Sequence, residues 1–174
     1  KQLEFSLEKP NLYNINIFIF LYKKTMDRLN ASSDYYYDDT YFKNILNLKN
    51  TFFGIIKDND KEITSICILL FYKKYIHYHL SANDKRYNCS QNFLFHELSN
   101  KCLLEFPNIE LIHLGGGVKD GDGLDKFKSS ISNVKFNYHI VKNVLNNEIY
   151  EKLKKDFIKE NQNCNLNFFP IYRQ

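Results

Sequence analysis

Three strand-type segments in a row, between residues 51 and 81, constrain the fold more than any other feature of this sequence. Segments 51–57 and 62–72 are rich in Ile, Leu, Phe and Thr, and the polar cluster 58–60 between them predicts a turn. The lysine pair 73–74 reverses the chain into a third segment, 75–81, in which side chains of different polarity alternate. Because short connections join antiparallel neighbours, this region predicts a three-stranded antiparallel meander.

A helix and a further strand follow the meander. Ser90 is a suitable cap for a helix that carries Leu94, Leu98 and Cys102 on one face. Segment 109–114 is rich in β-type residues and too short to be a helix. A strand–helix–strand order requires a crossover, which places the last strand parallel to its neighbour. The sequence therefore predicts a mixed α/β sheet.

Periodicity predicts the flanking elements, and no repeat or low-complexity linker interrupts them. We therefore expect one mixed α/β domain over residues 1–174. The predicted flanking elements are an extended start at 3–7, an amphipathic helix over about 18–29, a second helix from Asp39 or Thr40, a short helix carrying Leu124, Phe127 and Ile131, a strand at 134–142, a helix from Asn146 or Asn147, and a closing strand at 166–172.

Charge and cysteine content narrow the class of protein. The formal net charge is +4, and scattered lysines permit a phosphate-bearing partner without requiring one. The four cysteines include no C-x-x-C pair, which favours free thiols in a reducing compartment over a disulfide framework or a zinc site. No apolar stretch is long enough for a bilayer span. We expect a cytoplasmic protein with no bound metal and no membrane-spanning helix.

The run Gly115, Gly116 and Gly117 comes directly after a predicted buried strand. Glycines permit backbone conformations that other residues avoid, and they let a ligand approach the main chain. Ligands of open α/β sheets bind at strand ends beside a crossover, so this run is a candidate ligand loop, with a flexible turn as the alternative. The sequence lacks the phosphate-binding, dinucleotide, zinc-peptidase and serine-hydrolase motifs.

Three histidines are candidate site residues. His77 and His79 point to one face of their strand, where they could bind a metal, although a partly exposed sheet face explains the spacing more simply. His113 stands at the end of a strand just before the glycines, where it could reach a ligand or could be an ordinary strand residue. No residue is identified as a catalytic base by the sequence.

Several short signatures occur in an order that is informative. They are LYKKTMDRLNAS at 21–32, YYYDDTYF at 35–42, YIHYHLSAND at 75–84, an N-x-L…E helix at 92–97, HLGGG at 113–117, DGLDKFK at 122–128 and a closing FFPIYR. This succession resembles the Fem-type aminoacyltransferases and their relatives in the GNAT acyltransferase superfamily. The resemblance implies a GNAT-like fold.

The resemblance also implies a reaction. Such proteins move an aminoacyl group from tRNA, or in looser relatives an acyl group from coenzyme A, onto an amine of a cell-wall or sugar precursor. The match is to the second of two tandem GNAT-like domains, so we expect another such domain upstream of Lys1, which is not an initiator Met. No tightly bound cofactor is implied.

Site residues follow from the same resemblance. Lys128 corresponds to the transfer site, where its charge would stabilise a developing oxyanion or a donor phosphate. Phe127 beside it would shape the acceptor channel. His113 and the three glycines that follow it would contact the substrate.

The segment 83–92, which we call the donor loop, departs from the usual GNAT pattern. GNAT enzymes that use coenzyme A carry a glycine-bearing turn before the helix that corresponds to the one starting near Ser90, whereas the donor loop has no glycine. Lys85, Arg86 and Ser90 remain as expected donor-phosphate residues. The departure predicts weak coenzyme A binding and favours aminoacyl-tRNA. Two alternatives stay open, an acetyl-CoA-dependent N-acetyltransferase and a degenerate GNAT domain that serves as a binding module.

Overall fold

The computed structural model describes residues 2–87, 90–117, 121–132 and 134–174, and the side chains of Ser90 and Leu103 fall outside that description. Two compact units, 1–133 and 134–174, can be distinguished, and each is described by itself. Asn88 and Cys89, which belong to the expected donor loop, lie outside the described residues.

A five-stranded mixed sheet forms the centre of the first unit. The strands lie in sequence order. Among the first four, each strand pairs antiparallel with its neighbours, and the fifth strand runs parallel to the fourth. The predicted meander and the crossover after it are both confirmed. The strands are β1 (Glu4–Glu8), β2 (Thr51–Lys57), β3 (Ile63–Tyr72), β4 (Tyr75–Asn83) and β5 (Leu111–His113).

Four helices accompany the sheet: α1 (Leu12–Arg28), α2 (Asp39–Leu46), α3 (Ser90–Glu105) and α4 (Gly123–Ile131). Side-chain caps fix the starts of three of them, because a cap satisfies a backbone N–H that the helix leaves unpaired. Asn11 forms a capping box at α1, Asp38 caps α2, and Asp122 accepts from the Asp125 N–H at α4. In the described part of the chain, no helix is long and apolar enough to cross a membrane.

Two apolar cores lie on opposite faces of the sheet. One packs α1 and α2 against the sheet through Phe18, Phe42, Phe53 and their neighbours. The other packs α3 through Leu94, Phe95 and Leu98 and includes the predicted buried thiols of Cys67 and Cys102. Burying large aromatic and aliphatic side chains on both faces is the main source of stability for this arrangement.

A β-bulge divides β4 into two halves. Consecutive residues of β3, Ile68 and Leu69, face Leu80 and Tyr78, so His79 is an extra residue in β4. Side chains before the bulge, such as Tyr78, pack in the α3 core, whereas Leu80 after it packs in the core of α1 and α2. Since a strand alternates with period two, this change of face requires the extra residue.

The second unit contains helix α5 (Asn147–Glu160), which begins where predicted because the Asn146 side chain accepts from the Ile149 N–H. The strand predicted at 134–142 is wrong. No strand forms there, and apolar side chains such as Phe136 and Tyr138 are 75% and 88% exposed. Alternation alone does not make a strand, because the backbone groups also need a partner ladder.

The closing strand predicted at 166–172 is also wrong. Asn165 instead organises a turn, its side-chain oxygen and its carbonyl accepting from the N–H groups of Asn167 and Phe168. Pro170 then precedes a short 3-10 helix, Ile171–Arg173. Asn turns of this kind offer the backbone an alternative to a ladder, and proline cannot donate to one.

Candidate functional site

The site lies where β4 and β5 stop pairing. Their parallel ladder covers three residue pairs and ends at His77 and His113. Beyond that point β4 runs on to Asn83, while the chain leaves β5 and enters the glycine loop at Gly115. A strand whose neighbour departs presents backbone N–H and C=O groups to whatever lies beside it. The bulge at His79 falls in this same stretch of β4.

Lys128 is held against the glycine loop. It projects from α4, and its Nζ donates to the carbonyl oxygen of Gly116 at 2.9 Å. Gly115 has φ +70°, which disfavours other residues, and a methyl group there would lie 3.4 Å from the same Nζ. Burial lowers the pKa of the Lys128 ammonium, and the charge of Asp122 partly opposes that shift.

The histidines meet beside this loop. His77 Nδ1 lies 3.0 Å from His113 Nδ1, which the Gly115 N–H also approaches at 3.3 Å. His79 contacts a residue that sequence reasoning missed, the Tyr41 hydroxyl of α2, which lies 2.6 Å from His79 Nε2. The His77 and His79 rings are 5.6 Å apart, as their predicted common face requires.

Burial favours the neutral forms of the two β4 histidines. It lowers the pKa of His77, and the proximity of His113 and of the Lys128 ammonium lowers that pKa further, while a hydrogen bond with His113 opposes the shift. Burial also lowers the pKa of His79, with a smaller contribution from His77. Burial raises the pKa of the Tyr41 phenol. A fixed cation can stabilise a developing anion, and a neutral imidazole beside it can accept a proton. In the described residues, no group of three or more His, Cys, Asp or Glu is arranged to hold a metal ion.

Two further residues that the resemblance assigned to the site, Gly117 and Phe127, have different surroundings. Gly117 has a structural reason to be glycine, because an added methyl group would lie 2.5 Å from Asp122 Oδ1, the cap of α4. Phe127 packs in the α3 core, with its ring 6.0 Å from that of Phe95. The channel-shaping role of Phe127 stays a prediction.

The expected donor-phosphate residues lie at the far end of β4. Arg86 is paired with Asp84, whose Oδ2 accepts from Arg86 Nε and Nη2 at 3.0 and 2.6 Å. Ser90 is the first residue of α3. A groove of about 500 Å³ opens beside this end, and it is lined by Ile17, Phe20, Leu21, Lys24, Arg28, Glu62, Ile63, Asn83, Asp84, Lys85 and Arg86.

Lys24 of this groove was also missed by sequence reasoning. Its Nζ lies 4.3 Å from the centroid of the Phe20 ring, which is 57% exposed. On a helical wheel Lys24 and Phe20 are one turn apart on the polar side of α1. That spacing was visible in the sequence, but nothing there indicated that β4 ends beside it.

Solved structures share this fold. A possible acetyltransferase from Clostridium difficile 630 has a TM-score of 0.60 at 12% identity, with coverage of 83% of this chain and 99% of that chain. An aminoglycoside acetyltransferase from an uncultured soil metagenomic sample has a TM-score of 0.57 at 15% identity, with coverage of 83% and 99%. A ribosomal-protein-alanine N-acetyltransferase from Brucella melitensis biovar Abortus 2308 has a TM-score of 0.57 at 12% identity, with coverage of 82% and 100%.

These similarities confirm the predicted mixed α/β fold, which is that of the GNAT acetyltransferases. Identities this low show the fold alone. No model of a known protein family matches the sequence, and no curated protein sequence matches it. The Fem-type resemblance therefore stays a prediction.

Proposed function

We propose that this protein is an N-acyltransferase that moves an acyl group from an activated donor onto an amine. The observation that carries the proposal is the Lys128 ammonium on the glycine loop, at the point where β4 and β5 stop pairing. The fold supports it, because the structural neighbours include acetyltransferases named for aminoglycosides and for a ribosomal-protein alanine, both of which present amines.

Acyl transfer to an amine requires a site that stabilises an oxyanion. The amine nitrogen attacks the acyl carbon, a C–N bond forms, and the carbonyl electron pair moves onto oxygen. The resulting oxyanion collapses and expels the donor's thiolate or alkoxide, while the nitrogen loses a proton. The half-buried Lys128 ammonium would stabilise the oxyanion, because a preorganised charge acts more strongly where water is excluded.

The groove at the far end of β4 would hold the donor's phosphates. Four cationic side chains line it against two carboxylates, and Arg86 already engages one of these, Asp84. From His77 to Asn83 the strand advances by five residues of its partner β3, because the bulge residue adds no length, or by about 17 Å at about 3.3 Å per residue. A coenzyme A thioester, whose nucleotide and acyl group lie at opposite ends of an extended arm, suits that separation.

Aminoacyl-tRNA remains the second donor, since the nucleotides preceding its terminal adenosine also carry phosphates. Acyl transfer from it would place the terminal ribose near Lys128 and those phosphates toward the groove. The acceptor proposed from the Fem-type resemblance is an amine of a cell-wall or sugar precursor.

The test measures transfer of a radiolabelled acyl group from acetyl-CoA and, separately, from aminoacyl-tRNA. Acceptors are an aminoglycoside, a peptide with an N-terminal alanine, and a cell-wall peptide precursor. Lys128→Ala should lower turnover about a hundred- to thousand-fold, the range for a lost oxyanion donor. Lys126→Ala, on an exposed position of the same helix, is the matched control and should change nothing.

Each result decides a separate point. Equal turnover in the two lysine variants would remove Lys128 from the mechanism. Tight donor binding without transfer to any amine would favour the binding-module alternative. Low-micromolar binding of acetyl-CoA would contradict the weak binding predicted from the glycine-free loop.

A further inference from the structure

Four side chains from three elements form a continuous polar path beside the glycine loop. Tyr41 of α2 contacts His79 of β4, the His79 ring lies next to that of His77, and His77 contacts His113 of β5. The bulge at His79 and the end of the β4–β5 ladder bring these residues together. The oxyanion role of Lys128 uses none of them.

Hydrogen bonds determine which nitrogen of His77 carries a proton. The Gly115 N–H donates to His113 Nδ1, so that atom has a lone pair. The same His113 Nδ1 lies 3.0 Å from His77 Nδ1, and two lone pairs would repel at that distance. We therefore assign His77 Nδ1 as the donor, so that the one lone pair of His113 Nδ1 is shared between His77 Nδ1–H and the more distant Gly115 N–H. In a neutral imidazole the other nitrogen, Nε2, then carries the lone pair.

His79 is not equivalent to His77. Its Nε2 is occupied by the Tyr41 hydroxyl at 2.6 Å, whichever of the two atoms donates. The Tyr41 phenol stays protonated at neutral pH because burial raises its pKa. Of the two β4 histidines, His77 alone has an Nε2 that these hydrogen bonds leave without a partner in the described part of the chain.

We propose that His77 is the general base of this site and that His113 is its positioning residue. The inference rests on the proposed N-acyl transfer. His77 Nε2 takes the proton that the attacking amine releases as the C–N bond forms. The imidazolium keeps its Nδ1–H on His113 and returns the other proton to the leaving thiolate or alkoxide. Protons and electron pairs therefore balance without a further reactant.

The surroundings of His77 suit this role. Within residues 2–87, 90–117, 121–132 and 134–174, the groups that face it are His79 on its own strand, His113 from β5 and Lys128 from α4, with Tyr41 of α2 reached through His79. None of these carries a negative charge that would stabilise an imidazolium in the resting protein. A base that is neutral before the amine arrives is ready to accept its proton.

The first experiment follows acyl transfer against pH with a weakly basic acceptor such as methoxyamine, which stays neutral across the range. In the wild type, kcat/KM should rise with pH to a plateau, with a midpoint below 6.5, the ordinary pKa of histidine. His77→Gln should lower kcat/KM about a hundred- to ten-thousand-fold and abolish this rise. His96→Gln, on an exposed position of α3, is the control.

The second experiment needs no catalytic activity. Nitrogen-15 NMR of the wild type should show His77 protonated at Nδ1 and unprotonated at Nε2, and His113→Ala should weaken that preference. The opposite tautomer would overturn the base assignment, as would wild-type kcat/KM in His77→Gln. The expected tautomer in a protein that transfers no acyl group would instead reject the proposed function and, with it, the role of His77.

Discussion

The two ends of β4 present opposite environments. Near the bulge, His77 and His79 are half-buried, burial lowers their pKa values, and the Lys128 ammonium lies close enough to lower the pKa of His77 further. At the other end, Lys85 and Arg86 are exposed, and Arg86 is paired with Asp84. Charges act strongly where water is excluded and weakly where it is not. The first end is therefore suited to bond making and the second to holding a charged donor.

The largest effect should follow insertion of one alanine between His79 and Leu80, directly after the bulge. Leu80 and Ala82 would then turn toward the wrong face of the sheet, because a one-residue shift reverses every side chain. We expect the free energy of unfolding to fall by more than about 4 kcal/mol. Thermal unfolding followed by circular dichroism measures this loss.

The control for that insertion is His79→Ala, which keeps the register and removes only the contact with Tyr41. It should cost about 1 kcal/mol. If the insertion variant melts within about 5 °C of the His79→Ala variant, the register after the bulge does not determine the faces of β4.

A smaller effect is expected from Gly115→Ala. The positive φ of +70° makes an alanine there unfavourable by about 1–2 kcal/mol. The strained loop would also disturb the Gly116 carbonyl that holds Lys128, so acyl transfer should fall as well. Gly123→Ala is the matched control, since that glycine has no positive φ and a methyl group there meets nothing within 4 Å. Urea unfolding and turnover of both variants check the prediction, and equal behaviour of the two would contradict it.

Substitutions in the groove at the Asn83 end of β4 should change the affinity for the donor and leave turnover unchanged. The double variant Lys24→Ala/Lys85→Ala should raise the KM for the donor about three- to tenfold with kcat unchanged, because each exposed charge contributes up to about 1 kcal/mol. The difference should shrink at high salt. Lys43→Ala/Lys126→Ala removes two exposed lysines that do not line the groove. An effect on kcat alone would assign the groove to the chemical step.

Sequence patterns predicted the parts of the fold that depend on local order. The meander, the helix after it and the short helix bearing Lys128 follow from periodicity, turn residues and caps. The bulge could not be predicted, since polarity alternates through His79 and Leu80 without interruption. The contact between His77 and His113 depends on the register of two strands separated by a helix, and no local pattern specifies that register.

The segment 134–142 shows that alternating polarity does not by itself produce a strand. Its alternation resembles that of β4, yet of the two only β4 belongs to the sheet that the structure describes. The candidate site divides along similar lines. The glycines could be named because they directly follow a predicted strand, and Lys128 could be named because the Fem-type resemblance implies it. Tyr41 and Lys24 could not, because helix packing brings them to β4 from distant positions.

The smallest expected effect is on the pH dependence of folding stability, which should differ between the two ends of β4. The pKa values of His77 and His79 are lowered in the folded protein, so their neutral forms stabilise it above the unfolded value of 6.5. That stability is lost as pH falls below 6.5, because the unfolded chain then binds more protons. The Asp84 pKa is lowered from 3.8, chiefly by its hydrogen bond to Arg86, so its contribution is lost only at pH values below 3.8.

Melting temperatures measured between pH 7.5 and pH 5.5 should therefore report the two β4 histidines, because the pKa values of Glu4 and Glu8 are lowered from 4.5 and these carboxylates lose their contribution at lower pH. The wild type should lose stability over this range, and His77→Gln/His79→Gln should lose less, because glutamine does not titrate. Asp84→Asn should follow the wild-type curve over this range and diverge only at lower pH, since a carboxylate titrates near about 3.9 or lower. If the histidine double variant and the wild type lose stability in parallel, the histidines are not held neutral by their surroundings, and the contrast between the two ends of β4 reduces to exposure.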